Sequence, residues 1–247
     1  NFLFLFFGDG EIRLFVFQKD NEIYFYPFLI RSVFVDNVKT EYKDIETVYG
    51  YTGPISTSNN VEFIQEADKE FCNYCSSEKV ITEFIRFNPL LQNQKVLESI
   101  GSVTMIALRD YVSIELKESN EKIFADFSSQ NRNKIRKAEK AGVTIEYDTQ
   151  CNRFSEFVSI YLENMKRLQV AKMYYFSPAF FEGLKSLAKT SGILINAIED
   201  GNVIGSTVFL KGKTFGHYFL SSATEKGRSH AVSNLMLHHG ILWAKEN

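Results

Sequence analysis

Residues 193–222, ILINAIEDGNVIGSTVFLKGKTFGHYFLSS, set the fold. Three apolar, β-rich runs are separated by Asp200-Gly201 and by the polar stretch Lys211 to Lys213. An Asp-Gly pair between such runs is a hairpin signal, because both positions tolerate positive φ. The stretch therefore predicts an antiparallel meander of three strands. Residues 2–30, FLFLFFGDGEIRLFVFQKDNEIYFYPFLI, follow the same plan, with turns expected at Asp9-Gly10 and near Lys19 to Asn21. The strand between the two turns has nearly the same length in both copies, and each meander is later followed by a helix-like stretch, 61–76 and 231–246. This points to an internal duplication of an α+β unit; two meanders that arose independently are the alternative.

Working outward, VITEFIRF (80–87), SVTMIAL (102–108) and YVSIELK (111–117) have strand composition. Residues 119–141 form the clearest helical pattern, with Ser119 as N-cap and Gly142 as the stop. VTIEY (143–147) reads as a strand and FSEFVSIYLENMKRLQ (154–169) as a helix. SPAFFEGLKSLAK (177–189) is a second helix, capped by Ser177 with Pro178 at its first position. Sheet, helix, sheet, helices, sheet, helix describes an α+β or mixed-sheet chain, not a doubly wound one.

The 247 residues bury enough surface for one large or two small cores, and 45% apolar with 23% charged residues is ordinary for a globular protein. A formal net charge of −2 argues against a surface coated for duplex DNA, so any anion site is local. Cys72, Cys75 and Cys151 are an odd number, which favours a reducing compartment. The Cys72–Cys75 pair lacks the second pair that a four-thiolate zinc site needs, so no metal is expected. The run Phe2 to Phe7 is too short to cross a bilayer or to form a secretion signal core, and reads as a buried strand. The chain starts without methionine and stops within a helical pattern, so both ends are expected to be cut from something longer. Dinucleotide, Walker, zinc-protease, EF-hand and nucleophile-elbow motifs are missing from the sequence.

One cluster stands out against this slightly acidic background. Arg132, Lys134, Arg136, Lys137 and Lys140 fall within nine residues of NRNKIRKAEK (131–140). At about 100° per residue, Ile123, Phe124, Phe127, Ile135 and Ala138 share one face, and Arg132, Arg136 and Lys140 stack opposite at four-residue spacing. Two readings stand side by side: a solvated face with cations at the negative end of the helix dipole, or a phosphate site to which Asn131 and Asn133 add neutral donors.

DIETVYGYTGP (44–54), RFNPLLQN (86–93), RNKIRKAEKAGV (132–143), FVSIYLENMKR (157–167), YYF (174–176), HYFLSSAT (217–224) and NLMLHHGILWAK (234–245) together resemble the FemAB family, in order and over nearly the whole chain. The resemblance implies two GNAT-like (acyl-CoA N-acyltransferase-like) mixed-sheet domains, 1–118 and 119–247, truncated at both ends, with a substrate cleft near their junction. It implies a cytoplasmic transferase that moves an aminoacyl or acyl group onto an amine of a peptidoglycan precursor during cell wall biogenesis. The acceptor would be a UDP-linked or lipid-linked sugar-peptide, met near the inner membrane face. The co-substrate would be aminoacyl-tRNA or acyl-CoA, with no cofactor held permanently. Coiled-coil arms found in some members are absent here, as is the closing glycine-rich turn with its phenylalanine-lysine motif. An acyl-CoA-dependent N-acyltransferase acting on a nucleotide sugar or other small amine, and a silent relative that binds a glycan precursor, are the alternatives.

Acyl transfer to an amine needs a held carbonyl, a neutral nitrogen and donors aimed at the developing oxyanion. In GNAT-like sheets a central strand supplies backbone N–H groups to the acyl donor, and GHYFLSS (216–222) takes that place by position. His217 is the candidate base, or a hydrogen-bonded strand histidine; Tyr218 donates to the leaving group, or packs. Gly227, Arg228, Ser229 and Asn234, in TEKGRSHAVSN (224–234), occupy the expected donor-phosphate position and loosely echo a coenzyme A loop. Tyr49, Gly50 and Tyr51 line the acceptor cleft, or form a tight turn. Arg132, Arg136, Lys166 and Arg167 would hold the acceptor diphosphate, with tRNA phosphate as a second candidate. His238 and His239 are expected on a helix surface without a role.

Overall fold

The computed structural model describes residues 10–47, 50–108 and 110–247. The chain divides into two compact units, the first ending at Val112 and the second starting at Ser113.

In the first unit, β1 (Gly10–Lys19), β2 (Glu22–Val35), β3 (Val38–Glu46) and β5 (Val80–Phe84) form a sheet in the order β1-β2-β3-β5, with the short β4 (Ile55–Ser56) paired to β2. The Lys19 to Asn21 turn is where the sequence places it: Lys19 pairs with Glu22, and Asp20 has φ +51°. β3 and β5 are parallel, so this sheet is mixed. The strand expected over Phe2 to Phe7 and its turn at Asp9 lie outside the described residues. Helix α1 (Val61–Ser77) starts where the Asn60 side chain accepts from the Glu62 N–H at 3.0 Å. It buries Phe63, Ile64, Ala67 and Phe71 against alternate residues of β2, Tyr24, Tyr26 and Phe28. The Phe71 ring lies 5.1 Å from Tyr26 and 5.6 Å from Phe28. Burial on this scale supplies about 1.5–3 kcal/mol per large side chain. The short α2 (Gln94–Glu98) follows β5.

The second unit holds a sheet in the order β6-β7-β8-β9: β6 (Thr144–Asp148), β7 (Gly192–Glu199), β8 (Asn202–Lys211) and β9 (Gly216–Ala223). The opening stretch folds as predicted, with Asp200 at φ +51° and Gly201 at φ +78° in the tight turn. Helices α4 (Ser129–Lys140) and α8 (Val232–Glu246) cover one face, where Ile135, Ala138, Leu235 and Met236 join Ile193, Ile195 and Ala197 of β7. Helices α5 (Phe154–Leu168) and α6 (Pro178–Ser191) cover the other. Adjacent residues of β9 show the division: Ala223 packs in the α4/α8 core, whereas the Ser222 hydroxyl donates to the Ile160 carbonyl of α5 at 3.1 Å. Ser177 caps α6 by accepting from the Phe180 N–H.

Three expectations are corrected. The second sheet is antiparallel at every described pairing rather than mixed, because β7, β8 and β9 are consecutive strands joined by turns and β6 runs antiparallel to β7. Residues 102–108 and 111–117 form no strand among the described residues; they join neither sheet, and Ile106, Leu108 and Val112 are exposed. Strand composition stabilises a strand only where a neighbouring strand completes the ladder. The helix expected over 119–141 is two helices, α3 (Asn120–Asp126) and α4. Phe127 is extended, and the Ser128 side chain caps α4 by accepting from the Asn131 N–H at 3.2 Å.

Candidate functional site

β9 lies at the open edge of its sheet as described, and it is irregular. Val208 pairs with Leu220 but Phe209 with Tyr218, so Phe219 is an extra residue that bulges the strand. An edge strand leaves one row of backbone N–H and C=O groups unpaired in its own sheet. His217 is exposed on the same side as Phe219, with rings 5.9 Å apart. Desolvation by the surrounding chain holds its pKa below the ordinary histidine value, so the imidazole is neutral at pH 7 and able to take a proton. Tyr218 points the other way, packs 5.3 Å from the Phe209 ring, and has its phenol pKa raised chiefly by burial. The two neighbours therefore face opposite sides of the sheet.

The cations of α4 are mostly engaged locally. The Arg132 guanidinium donates to the carbonyls of Ala125, at 2.7 Å, and Phe127, closing the C-terminal end of α3. The Lys137 ammonium donates to the Ser229 carbonyl at 2.6 Å, and the Arg136 guanidinium lies 5.6 Å from the centroid of Phe124. Asn131 accepts from the Asn234 side chain at 3.2 Å. Lys166 and Arg167 sit at the exposed end of α5, where Arg167 donates to Asn164. Because α5 covers the face opposite α4, the structure does not bring Lys166 and Arg167 together with Arg132 and Arg136.

The loop of donor candidates is tightly built. The Thr224 hydroxyl accepts from the Gly227 N–H at 3.1 Å and caps α7 (Glu225–Ser229). Gly227 is buried, and a Cβ there would lie 2.0 Å from the Ile204 carbonyl oxygen. Arg228 turns back to donate to the Ala223 carbonyl at 2.6 Å, and Ser229 donates to the Lys226 carbonyl at 2.7 Å. Lys226 lies 2.9 Å from Glu199. These side chains hold the β9–α8 connection.

In the first unit Tyr49 lies outside the described residues, Gly50 adopts φ +110°, and Tyr51 is exposed. Sequence reasoning missed what fixes this loop. Buried Asn93 donates to the carbonyls of Thr52 at 3.0 Å and Pro54 at 3.1 Å, and accepts from the Asn88 N–H at 2.8 Å. The Thr47 hydroxyl accepts from the Arg86 N–H at 2.7 Å. The RFNPLLQN segment thus serves as the back of the tyrosine loop. His238 and His239 also depart from expectation, since both are half-buried. His238 packs 5.1 Å from Phe124 and 5.7 Å from Phe127, and His239 Nδ1 lies 2.7 Å from the Tyr147 hydroxyl. Desolvation lowers both pKa values. Their spacing from Leu235, three and four residues on, was the available signal.

Residues 96–185, which include α3, α4 and α5, match the FemAB family model. The chain is FemAB-like. A crystal structure of FemX superposes with a TM-score of 0.68 at 13% identity, covering 96% of this chain and 77% of that one. The C-terminal domain of a putative lysylphosphatidylglycerol synthetase from Agrobacterium fabrum gives a TM-score of 0.53 at 12% identity, covering 97% and 68% respectively. A sequence search of curated proteins finds no match. At these identities the structural likenesses speak to the fold of this FemAB-like chain: among the described residues, two sheets with packed helices and no closed barrel. Among the described residues no helix is long and apolar enough to cross a membrane.

Proposed function

We propose that this chain is a transferase that moves an aminoacyl group onto an amine of a peptidoglycan precursor, with GNAT-like use of the β9 edge. The observation that carries the proposal is the FemAB family match over residues 96–185. In the reaction, the acceptor amine loses a proton and its nitrogen attacks the donor carbonyl. The new C–N bond forms as the ester bond to tRNA breaks and the released hydroxyl takes up a proton. His217, neutral and exposed, takes the amine proton. Backbone N–H groups along the bulged edge of β9 hold the developing oxyanion. Tyr218, turned to the other face against Phe209, secures the strand rather than moving a proton. Arg136, exposed on α4, is the cation assigned in this reading to the acceptor's diphosphate.

The likeness to a domain of a putative lysylphosphatidylglycerol synthetase favours a second reading, in which the acceptor is a phospholipid headgroup. Thermal stabilisation separates these. At about 100 times its dissociation constant a ligand adds roughly 2.7 kcal/mol, a shift of several degrees. UDP-linked muramyl pentapeptide should shift the melting temperature, and acetyl-CoA should not. A shift with acetyl-CoA alone would replace the tRNA-borne donor with acyl-CoA. A shift only with short-chain phosphatidylglycerol would support the lipid acceptor, and no shift with any of these would refute acyl transfer to such acceptors.

A further inference from the structure

The connection between α5 and α6 carries charges that the site described above leaves unused. Lys166 and Arg167 occupy the last turn of α5, Gln169 ends that helix at φ +50°, and Lys172 follows in the short turn before α6. Residues 164–181 contain these three cations and no Asp or Glu. Arg167 donates to the neutral Asn164 side chain at 2.8 and 3.2 Å, which leaves its charge uncancelled. Among the described residues no carboxylate forms an ion pair with any of the three. The helix dipole accounts for cations in the last turn of α5, but not for Lys172 beyond it.

Large apolar side chains are exposed between these charges: Leu168 at 50%, Met173 at 63% and Tyr175 at 43%. The connection is fixed from its inner side. The Tyr161 hydroxyl of α5 donates to the Tyr174 carbonyl at 2.9 Å, and the Phe176 ring stacks on Phe180 of α6 with centroids 4.1 Å apart. Tyr174 and Phe176 are half-buried, whereas Met173 and Tyr175, which alternate with them, are exposed. Cations interleaved with apolar side chains, with no acid among them, complement an anionic bilayer: headgroups attract the charges, and the boundary beneath takes up the apolar groups. Because the whole chain carries a formal charge of −2, such attraction has to be local. We propose that the α5–α6 connection docks this chain on an anionic phospholipid surface. This holds whether or not the chain transfers acyl groups, because vesicle binding is measured without donor or acceptor.

The test is flotation of the full chain with vesicles of phosphatidylcholine alone or with about one third phosphatidylglycerol, at low and at physiological salt. The chain should float with the anionic vesicles, less so at the higher salt, and stay behind with the neutral ones. Each cation near such a surface is worth about a fivefold gain in affinity, so Lys166→Ala combined with Arg167→Ala should weaken binding at least about tenfold. Lys134→Ala combined with Lys140→Ala removes the same charge from α4, on the opposite face of the sheet, and should leave binding within about twofold. Met173→Trp should move indole emission to the blue when vesicles are added; the native Trp243 is buried and gives a constant background. The substituted side chains of the connection are exposed, and circular dichroism confirms that each variant is folded. Equal binding to neutral and anionic vesicles, equal losses from the two double variants, or an emission that does not move would overturn the proposal. Binding of tRNA in place of vesicles would overturn it as well and assign the cations to a nucleic acid. Binding of monomeric short-chain phosphatidylglycerol without binding of vesicles would replace a docking surface with a headgroup pocket.

Discussion

Replacing Asn93 with Ala removes three hydrogen bonds at once: two donated to the carbonyls of Thr52 and Pro54 and one accepted from the Asn88 N–H, at 3.0, 3.1 and 2.8 Å. The side chain is buried, so water does not readily take over these bonds. At about 1 kcal/mol for each net bond, and more where the orphaned group stays buried, the loss comes to about 3–4 kcal/mol. That is a large part of the 5–15 kcal/mol typical of a domain. For a unit of this size it lowers the melting temperature by roughly 12 °C. Asn93→Asp should be worse at neutral pH, because a carboxylate would then face two carbonyl oxygens in a buried site. The folded state would raise that carboxyl's pKa. The extra deficit of Asn93→Asp over Asn93→Ala should therefore shrink as the pH falls through this raised value, where the protonated acid can donate to one of the two carbonyls. Urea unfolding followed by far-ultraviolet circular dichroism measures the loss, and hydrogen exchange at the Thr52 amide, which is bonded to the Arg86 carbonyl, reports on the loop itself. A loss under 1 kcal/mol with unchanged protection at Thr52 would refute the assignment of Asn93 as the clamp of this loop.

Arg132→Ala should cost about 1–2 kcal/mol and speed hydrogen exchange in α3, since the guanidinium closes that helix end; unchanged exchange would return Arg132 to the list of phosphate ligands. Gly227→Ala should cost about 3 kcal/mol in thermal or urea unfolding, because the new Cβ meets a backbone carbonyl that cannot swing aside, and a loss within 0.5 kcal/mol would mean that the loop yields. For His217, whose pKa lies below the ordinary value, transfer rate should rise as the pH climbs through that lowered pKa and stay flat above it, and His217→Ala should lose about 100-fold and the limb together. A limb that survives in His217→Ala would assign the base elsewhere.

Strands and turns were legible where chemistry is local. Asp200-Gly201 and the Ser177-Pro178 start of α6 state their own geometry, and the structure follows them. The helix break at Phe127 was not legible, because Phe124, Phe127, Ile135 and Ala138 all reach the same core and keep the apolar period across the gap. Periodicity records which face is buried, not whether the backbone is continuous; only Ser128, a capping residue type within the run, hinted at a second start. Strand composition at 102–117 misled for the complementary reason, since it says nothing about a partner strand. Asn93 was invisible as a clamp because its three partners are backbone groups, two of them about forty positions away.

The cluster on α4 shows why charge alone did not define a site. A helix ends with carbonyls that lack internal partners and with the negative end of its dipole, so cations are drawn there as they are to a phosphate. Three helix ends in the second unit are handled from this one cluster: Arg132 closes α3, Lys137 meets the last residue of α7, and Lys137 and Lys140 occupy the last turn of α4 itself. Two of the five cations are thus committed to backbone carbonyls before any ligand arrives. Arg136 differs, because its contact is with the face of Phe124 and its guanidinium remains exposed. Stacking on a ring limits the rotamers of the side chain while leaving its N–H fork unspent, so the entropy lost on gripping a diphosphate is smaller than for a lysine on a mobile stem. Of the two arginines that sequence placed together on one stripe, the fold has made one a helix cap and left the other exposed over an aromatic ring.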